Sequence, residues 1–175
     1  SVSGDNTTST ETYTYSNHLL TQVQKSANAA PEKITETNTY DAFGNITKKS
    51  ISVPGLAARE TNYQYDTSGR FLLKSTDIEG LSTTFNYNTS NGLLNSETNP
   101  YGLTTTYFYD SWFRKIKTTD YLGKSKTLSY ARSGNNTILT ATGDDGSQSI
   151  DYLDDLGRKY KSSSKDMNSN FVSVD

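Results

Sequence analysis

The chain has 175 residues, a formal charge of −2, one histidine, no cysteine and a hydrophobic content of only 31%. Scattered Lys and Arg without net positive charge exclude a nucleic-acid interface. The lack of Cys excludes a disulfide framework or a thiolate metal site, and no apolar run approaches the ~20 residues of a membrane-spanning helix.

Thirteen tyrosines supply the apolar area that the scarce aliphatics do not. A Tyr ring suits a pleated, half-buried surface and keeps a polar tip for water, so the expectation is one folded unit with a thin or one-sided core. The chain lacks an initiator Met and opens on Ser, Thr and Asn, the look of a mature or excised piece.

In chain order, residues 1–11 form a polar segment expected to be flexible or an irregular edge strand. Residues 12–161 then carry a repeat. Tyr15, Tyr40, Tyr65, Tyr87, Tyr109, Tyr130 and Tyr152 follow one another at steps of 21 to 25 residues. Two positions earlier stand Tyr13, Asn38, Tyr63, Phe85, Tyr107, Leu128 and Ile150, and Asn38 alone breaks the apolar column. A first set of glycines follows the tyrosines: Gly44, Gly69, Gly92, Gly134 and Gly157. A second set, Gly80, Gly102, Gly123 and Gly146, falls later in each unit, with Asp77, Asn99 and Asp120 three residues before the first three. Such self-similarity marks a repeat architecture.

The local physics of the unit is that of a hairpin plus its link. Leu81, Thr83, Phe85 and Tyr87 alternate with Ser82, Thr84 and Asn86, which puts the first group on one face of a strand and the second on the other. In Tyr65-Asp66-Thr67-Ser68-Gly69 and Asp77-Ile78-Glu79-Gly80 the acid caps its own backbone and the glycine accepts a positive φ. The prediction is all-β, about 12–14 strands, as tandem antiparallel β-hairpin repeats forming a curled, spiral or barrel-like sheet. Ala27–Pro31 and Ser52–Ala58 lengthen the early repeats as loops. Residues 162–175 form a polar C-terminal segment, frayed or an irregular edge.

Candidate reacting groups are few. His18 sits in a polar hairpin without the context of a nucleophile, and reads as a surface residue. The pairs Asp144-Asp145 and Asp154-Asp155 fall in predicted turns, where Asp is a standard former, rather than in an acid/base pocket. Repeated D-x-x-G turns invite a calcium reading, but each offers one or two carboxylates against the six to eight oxygens calcium needs. No cofactor and no metal is expected. Trp112 and Phe113, in a predicted turn, are the candidate partner contact: a hairpin-tip anchor, or a lid folded over a neighbouring hairpin. The column tyrosines read as a cross-strand ladder.

The segments Tyr40-Asp41-Ala42-Phe43-Gly44, Tyr65-Asp66-Thr67-Ser68-Gly69-Arg70 and Leu153-Asp154-Asp155-Leu156-Gly157-Arg158 resemble the YD repeat of Rhs proteins. That family includes the B and C components of bacterial insecticidal toxin complexes, wall-associated proteins and the extracellular part of teneurins. On this resemblance the repeat-motif residues are Tyr40, Asp41, Gly44, Tyr63, Tyr65, Asp66, Gly69, Arg70, Asp77, Gly80, Phe85, Tyr87, Gly102, Tyr107, Tyr109, Asp110, Gly123, Tyr130, Tyr152, Gly157 and Arg158. Phe113 stands where the first glycine is expected, and Ala131 and Leu153 replace the Asp after their tyrosines, so these turns are expected to be altered.

The resemblance implies a long sheet of hairpins winding into a hollow shell around a C-terminal toxin or other cargo. It implies a secreted or cell-surface bacterial protein with no enzymatic role of its own. The partners are then the remainder of a larger Rhs-type polypeptide or toxin-complex subunits, with self-association or a glycan in addition, and neither nucleic acid nor membrane insertion. The other reading is a cell-surface adhesion or carbohydrate-binding module.

Overall fold

The computed structural model describes residues 9–27, 33–165 and 170–174. Most of the Ala27–Pro31 insertion and parts of both terminal segments lie outside these residues. The described chain is all-β: β1 (Ser9–Ser16), β2 (Leu19–Ala27), β3 (Ile34–Tyr40), β4 (Ile46–Ser52), β5 (Arg59–Tyr65), β6 (Leu72–Thr76), β7 (Ser82–Tyr87), β8 (Leu94–Thr98), β9 (Thr104–Tyr109), β10 (Lys115–Thr119), β11 (Ser125–Ser133), β12 (Asn136–Gly143), β13 (Gln148–Leu153), β14 (Lys159–Lys165) and β15 (Phe171–Val174). They form one antiparallel sheet in strict sequence order. The described parts of the two tails belong to it, since Ser9–Thr12 begins β1 and residues 171–174 form β15 against β14.

Turn chemistry fixes where the strands stop. In seven loops the first residue donates its N–H to the carbonyl four positions on, and the residue three positions on donates back to the first: Asp41, Asp77, Asn99, Asp110, Asp120, Gly143 and Asp154 each open one. Asp66 and Asn88 open versions one residue longer. The two D-x-x-G landmarks of the repeat are therefore one turn used at both ends of the strands. Its glycine lies at positive φ, from +68° at Gly69 to +86° at Gly44, a region that costs other L-residues roughly 1–2 kcal/mol. The β4–β5 connection closes instead on Leu56 N–H to Val53 carbonyl, around the Pro-Gly pair.

What separates the two ends is a bulge. Beyond the tyrosine-end turns the register skips one residue: Tyr40 faces Ile46 but Thr39 faces Lys48, Tyr65 faces Leu72 but Gln64 faces Lys74, and Tyr109 faces Lys115 but Phe108 faces Lys117. The opposite ends have no bulge. There a side-chain pair closes the strands on the far side of the turn: Thr76 with Ser82 at 2.9 Å, Thr98 with Thr104 at 2.8 Å and Thr119 with Ser125 at 3.0 Å.

The chain divides into two compact units, Ser1–Phe85 and Asn86–Asp175. In the first, strand pairing places Tyr13, Val23, Tyr40, Tyr63, Tyr65 and Phe85 on one face. The other face is Thr, Ser, Gln, Asn, Lys and Glu, for example Thr37, Ser50, Glu60 and Asn62. Asn38, the polar member of its column, lies on the aromatic face, where its Nδ2 donates to the Leu20 carbonyl. The core is thin, as the composition requires: Val23 and Phe71 are the buried hydrophobic residues among those described.

In the second unit Tyr107, Tyr109, Leu128 and Tyr130 share a face, but Tyr152 and Ile150 do not join them. Tyr130 pairs with Leu139, Leu139 pairs with Asp151 and Thr137 with Leu153, while Tyr152 opposes Ile138 on the reverse side. The placement of Tyr152 in the tyrosine column is thereby corrected. The turn aspartate of this repeat is Asp154, so Leu153 occupies the column position and Tyr152 is one residue out of phase. A one-residue slip moves a side chain to the opposite face. Two further expectations about altered turns are also corrected. Asp154 builds an unaltered turn despite Leu153, and Phe113 builds one despite lacking the glycine. Only at Ala131 does the loop change, to the two-residue connection Gly134-Asn135 between Ser133 and Asn136.

Candidate functional site

The repeat residues converge on the tyrosine-end turns. Each turn acid holds the loop by accepting backbone N–H groups through Oδ1: Asp41 from Phe43 (2.8 Å) and Asn45 (2.9 Å), Asp110 from Trp112 and Arg114 (both 2.9 Å), and Asp154 from Leu156 (3.0 Å) and Arg158 (2.9 Å). Donors of this kind favour the ionised form. In Asp66 the Ser68 hydroxyl, then the N–H groups of Phe71 and Arg70, hold the carboxyl down to about 2. In Asp110 burial acts the other way but is outweighed by the Arg114 backbone and side chain, and the pKa is lowered.

The arginine of the motif closes the loop. Arg114 donates Nε at 2.8 Å and a second nitrogen at 2.7 Å to the same oxygen, Asp110 Oδ2, a charge-assisted ion pair. Arg158 repeats this on Asp154 at 2.8 Å for both nitrogens. Arg70 does not, because its turn is one residue longer, and its guanidinium lies over the Phe71 ring at 5.0 Å.

The column tyrosines link hairpin to hairpin through their hydroxyls. Tyr40 donates to the Leu20 carbonyl at 2.6 Å, Tyr109 to Leu94 at 3.0 Å and Tyr130 to Lys115 at 3.1 Å. Leu20 and Lys115 each immediately precede the residue skipped in the register, Thr21 and Ile116. The bulge turns a carbonyl out of the ladder, and the next hairpin's phenol takes it as acceptor. This gives a physical reason for tyrosine rather than phenylalanine at the column. Tyr107 also faces Glu97; burial first and then that carboxylate push its hydroxyl up to about 12.

In the Trp112-Phe113 turn the position that glycine holds in the other turns of this kind is taken by a bulky residue, with Phe113 at φ +63°. Its N–H still donates to the Asp110 carbonyl at 3.0 Å. Trp112 is 74% exposed and Phe113 60%, so Trp112 does not fold over a neighbouring hairpin. Arg114 does: its guanidinium sits 4.6 Å from the Trp112 ring and 4.4 Å from the ring of Tyr130. The ion pair to Asp110 and the two aromatic contacts of Arg114 thus hold Trp112 as an outward-facing plate. Beside it lies an open depression of about 260 Å³, lined by Asn88, Asn91, Asn95, Tyr107, Tyr109 and Phe113 among others.

Gly44, Gly69 and Gly157 sit at tyrosine-end turns; Asp77, Gly80, Gly102 and Gly123 sit at the opposite ends. Tyr87 ends β7 on the face of Phe85. His18 is exposed, in the Asn17-His18 turn of the first hairpin, both residues at positive φ.

Three features had no counterpart in the sequence reading. Asn45 ties its own turn to the next one, donating to Asp41 at 3.0 Å and to the Gly69 carbonyl at 2.7 Å. The Thr/Ser pairs flanking D-x-x-G were legible as T-D-x-x-G-x-S in 76–82 and 119–125. At Gly143, where the capping acid is missing, Asp145 Oδ1 accepts the Ser147 N–H at 2.9 Å and fills the space a side chain at 143 would occupy, 2.7 Å from its Cβ position.

No family profile matches the chain, and no curated protein matches it. Among solved structures it is similar to a crystal structure of TcdB2-TccC3-Cdc42, at 13% identity and a TM-score of 0.43, over 90% of this chain. The chain spans 12% of the length of the protein it matches.

Proposed function

We propose that the chain is a wall segment of a larger exported bacterial protein of the YD-repeat type, and that the wall separates an enclosed C-terminal toxin or other cargo from solvent. It acts by geometry rather than by catalysis. The carrying observation is a recurring link between hairpins: the hydroxyls of Tyr40, Tyr109 and Tyr130 each donate to a carbonyl of the preceding hairpin, and at Tyr40 and Tyr130 that carbonyl lies at a bulge. A link of this kind can recur along a chain of hairpins, because its acceptor belongs to the hairpin before it. Among the described residues β1 and β15 each have one strand neighbour, so further hairpins can add at either side.

The test uses the parent protein that carries this segment. On this reading its enclosed region resists added protease, and the double variant Tyr109→Phe, Tyr130→Phe speeds that cleavage. Equal digestion of the enclosed region in the intact protein and in the wall variant would overturn the reading.

A second reading rests on Trp112. An exposed indole held flat by Arg114, beside asparagine amides and phenols, suits stacking on a sugar ring with hydrogen bonds at its rim. This would make the segment a cell-surface adhesion module. Retention on immobilised glycans that is lost in Trp112→Ala supports it; no retention on any glycan removes it.

A further inference from the structure

We infer that Asn91 is a site of spontaneous succinimide formation, through which this residue converts to aspartate and isoaspartate. The inference is independent of the wall reading.

Asn91 is exposed in the β7–β8 turn and is followed by Gly92, which lies at φ +79°. Its Oδ1 accepts the N–H of Leu93 at 3.0 Å. That contact folds the Asn91 carboxamide back along the loop that carries the Gly92 amide. Gly92 has no Cβ to obstruct that approach. Two other turn asparagines among the described residues lack one condition or another. Asn88 makes the same contact with Ser90 at 3.0 Å but is followed by β-branched Thr89, and Asn99 is followed by Pro100, which has no N–H.

The step balances with water alone. The Gly92 nitrogen gives its proton to solvent hydroxide and bonds to the Asn91 Cγ. The Cγ–Nδ2 bond breaks, and ammonia leaves after taking a proton from water. Water then opens the five-membered imide at either carbonyl, giving aspartate or, with the backbone rerouted through Cβ, isoaspartate. The Gly92 N–H donates to the Asn88 carbonyl at 2.7 Å, and that bond must open for each event. The rate therefore reports on opening of this one turn. The turn closes β7, the strand in which the chain divides into its two units, and an isoaspartyl link lengthens its backbone by one atom.

Asp145-Gly146 supplies an internal comparison. It has the same contact, Oδ1 to the Ser147 N–H at 2.9 Å. Its carboxyl, held below the ordinary range first by the Ser147 hydroxyl and then by the Ser147 N–H, is ionised at neutral pH and offers no leaving group. Asp145 should isomerise more slowly than Asn91 there.

The experiment incubates the intact folded protein at mildly alkaline pH, labels isoaspartate with the isoaspartate-specific methyltransferase and maps the label by peptide mass. The expected result is label at Asn91 several-fold above that at Asn88, Asn95, Asn135 or Asp145, falling to background in Asn91→Gln. That variant keeps an amide but would need a six-membered imide. A urea-unfolded sample run in parallel shows the intrinsic reactivity of the Asn-Gly pair. Label at Asn91 in urea but none above the other asparagines in the folded protein would overturn the inference, because it would mean the turn holds Asn91 away from the Gly92 nitrogen.

Discussion

Tyr109 donates its hydroxyl to the Leu94 carbonyl at 3.0 Å, across from one hairpin to the one before it. Removing only that oxygen tests whether the hydroxyl link holds neighbouring hairpins together. Tyr109→Phe should lower stability by about 1 kcal/mol in urea unfolding, with the slope unchanged. Tyr101→Phe, at a residue 78% exposed, is the control and should leave the midpoint where it is.

Phe43 packs on Gly69 so closely that a Cβ there would lie 2.3 Å from the ring. Gly55 has a similar positive φ but open space around it. Gly55→Ala should cost about 1–2 kcal/mol from backbone strain. Gly69→Ala should cost that plus an overpacking penalty of roughly 1–3 kcal/mol. Adding Phe43→Ala to Gly69→Ala should recover part of the extra loss, and strict additivity in the double-mutant cycle would rule out the contact.

Phe113 holds a left-handed conformation that the other turns of its kind give to glycine. Phe113→Gly should raise the thermal midpoint, by an amount equivalent to about 1 kcal/mol. A stabilised variant that also loses partner or glycan retention would indicate that the strain is kept for binding at the Trp112 loop. A lowered midpoint would contradict the strain assignment.

Acid should weaken the turns. Asp66 titrates near 2 in the folded chain, and Asp41, Asp110, Asp145 and Asp154 are likewise lowered. A group whose folded pKa lies below its unfolded one stabilises fully above the unfolded value, about 4 for Asp. That stability is lost as pH falls through the folded value. Urea midpoints should be flat above pH about 5 and fall between about 4 and 2. Asp66→Asn should flatten part of that fall, and an unchanged acid limb would refute its role.

Among the described residues β1 is an eight-residue edge strand with every residue exposed. Unpaired edges of this length invite other chains. Light scattering across a concentration series should show association, and Thr12→Lys should shift it to higher concentration. A monomer at all concentrations would show that the edge is protected in solution.

The positions of the turns were set by the sequence alone, because their chemistry is local. An Asp or Asn that caps its own loop and a glycine that tolerates positive φ act within five residues, and alternation decides which side chains share a face of one strand. All-β hairpins in tandem and a thin core followed from those rules and from composition. Only the tertiary structure decided register between strands. It placed Leu153 rather than Tyr152 in the column, since the face of β13 is set by its pairing to β12. It made one turn of two apparent motifs, because a bulge on the return strand, invisible in the spacing, is all that separates them. It let Asp145 stand in for the missing cap at Gly143, and it gave the tyrosine hydroxyls their partners, carbonyls 15 to 20 residues away. Contacts of that range depend on how neighbouring hairpins slide against one another, and no local propensity encodes that.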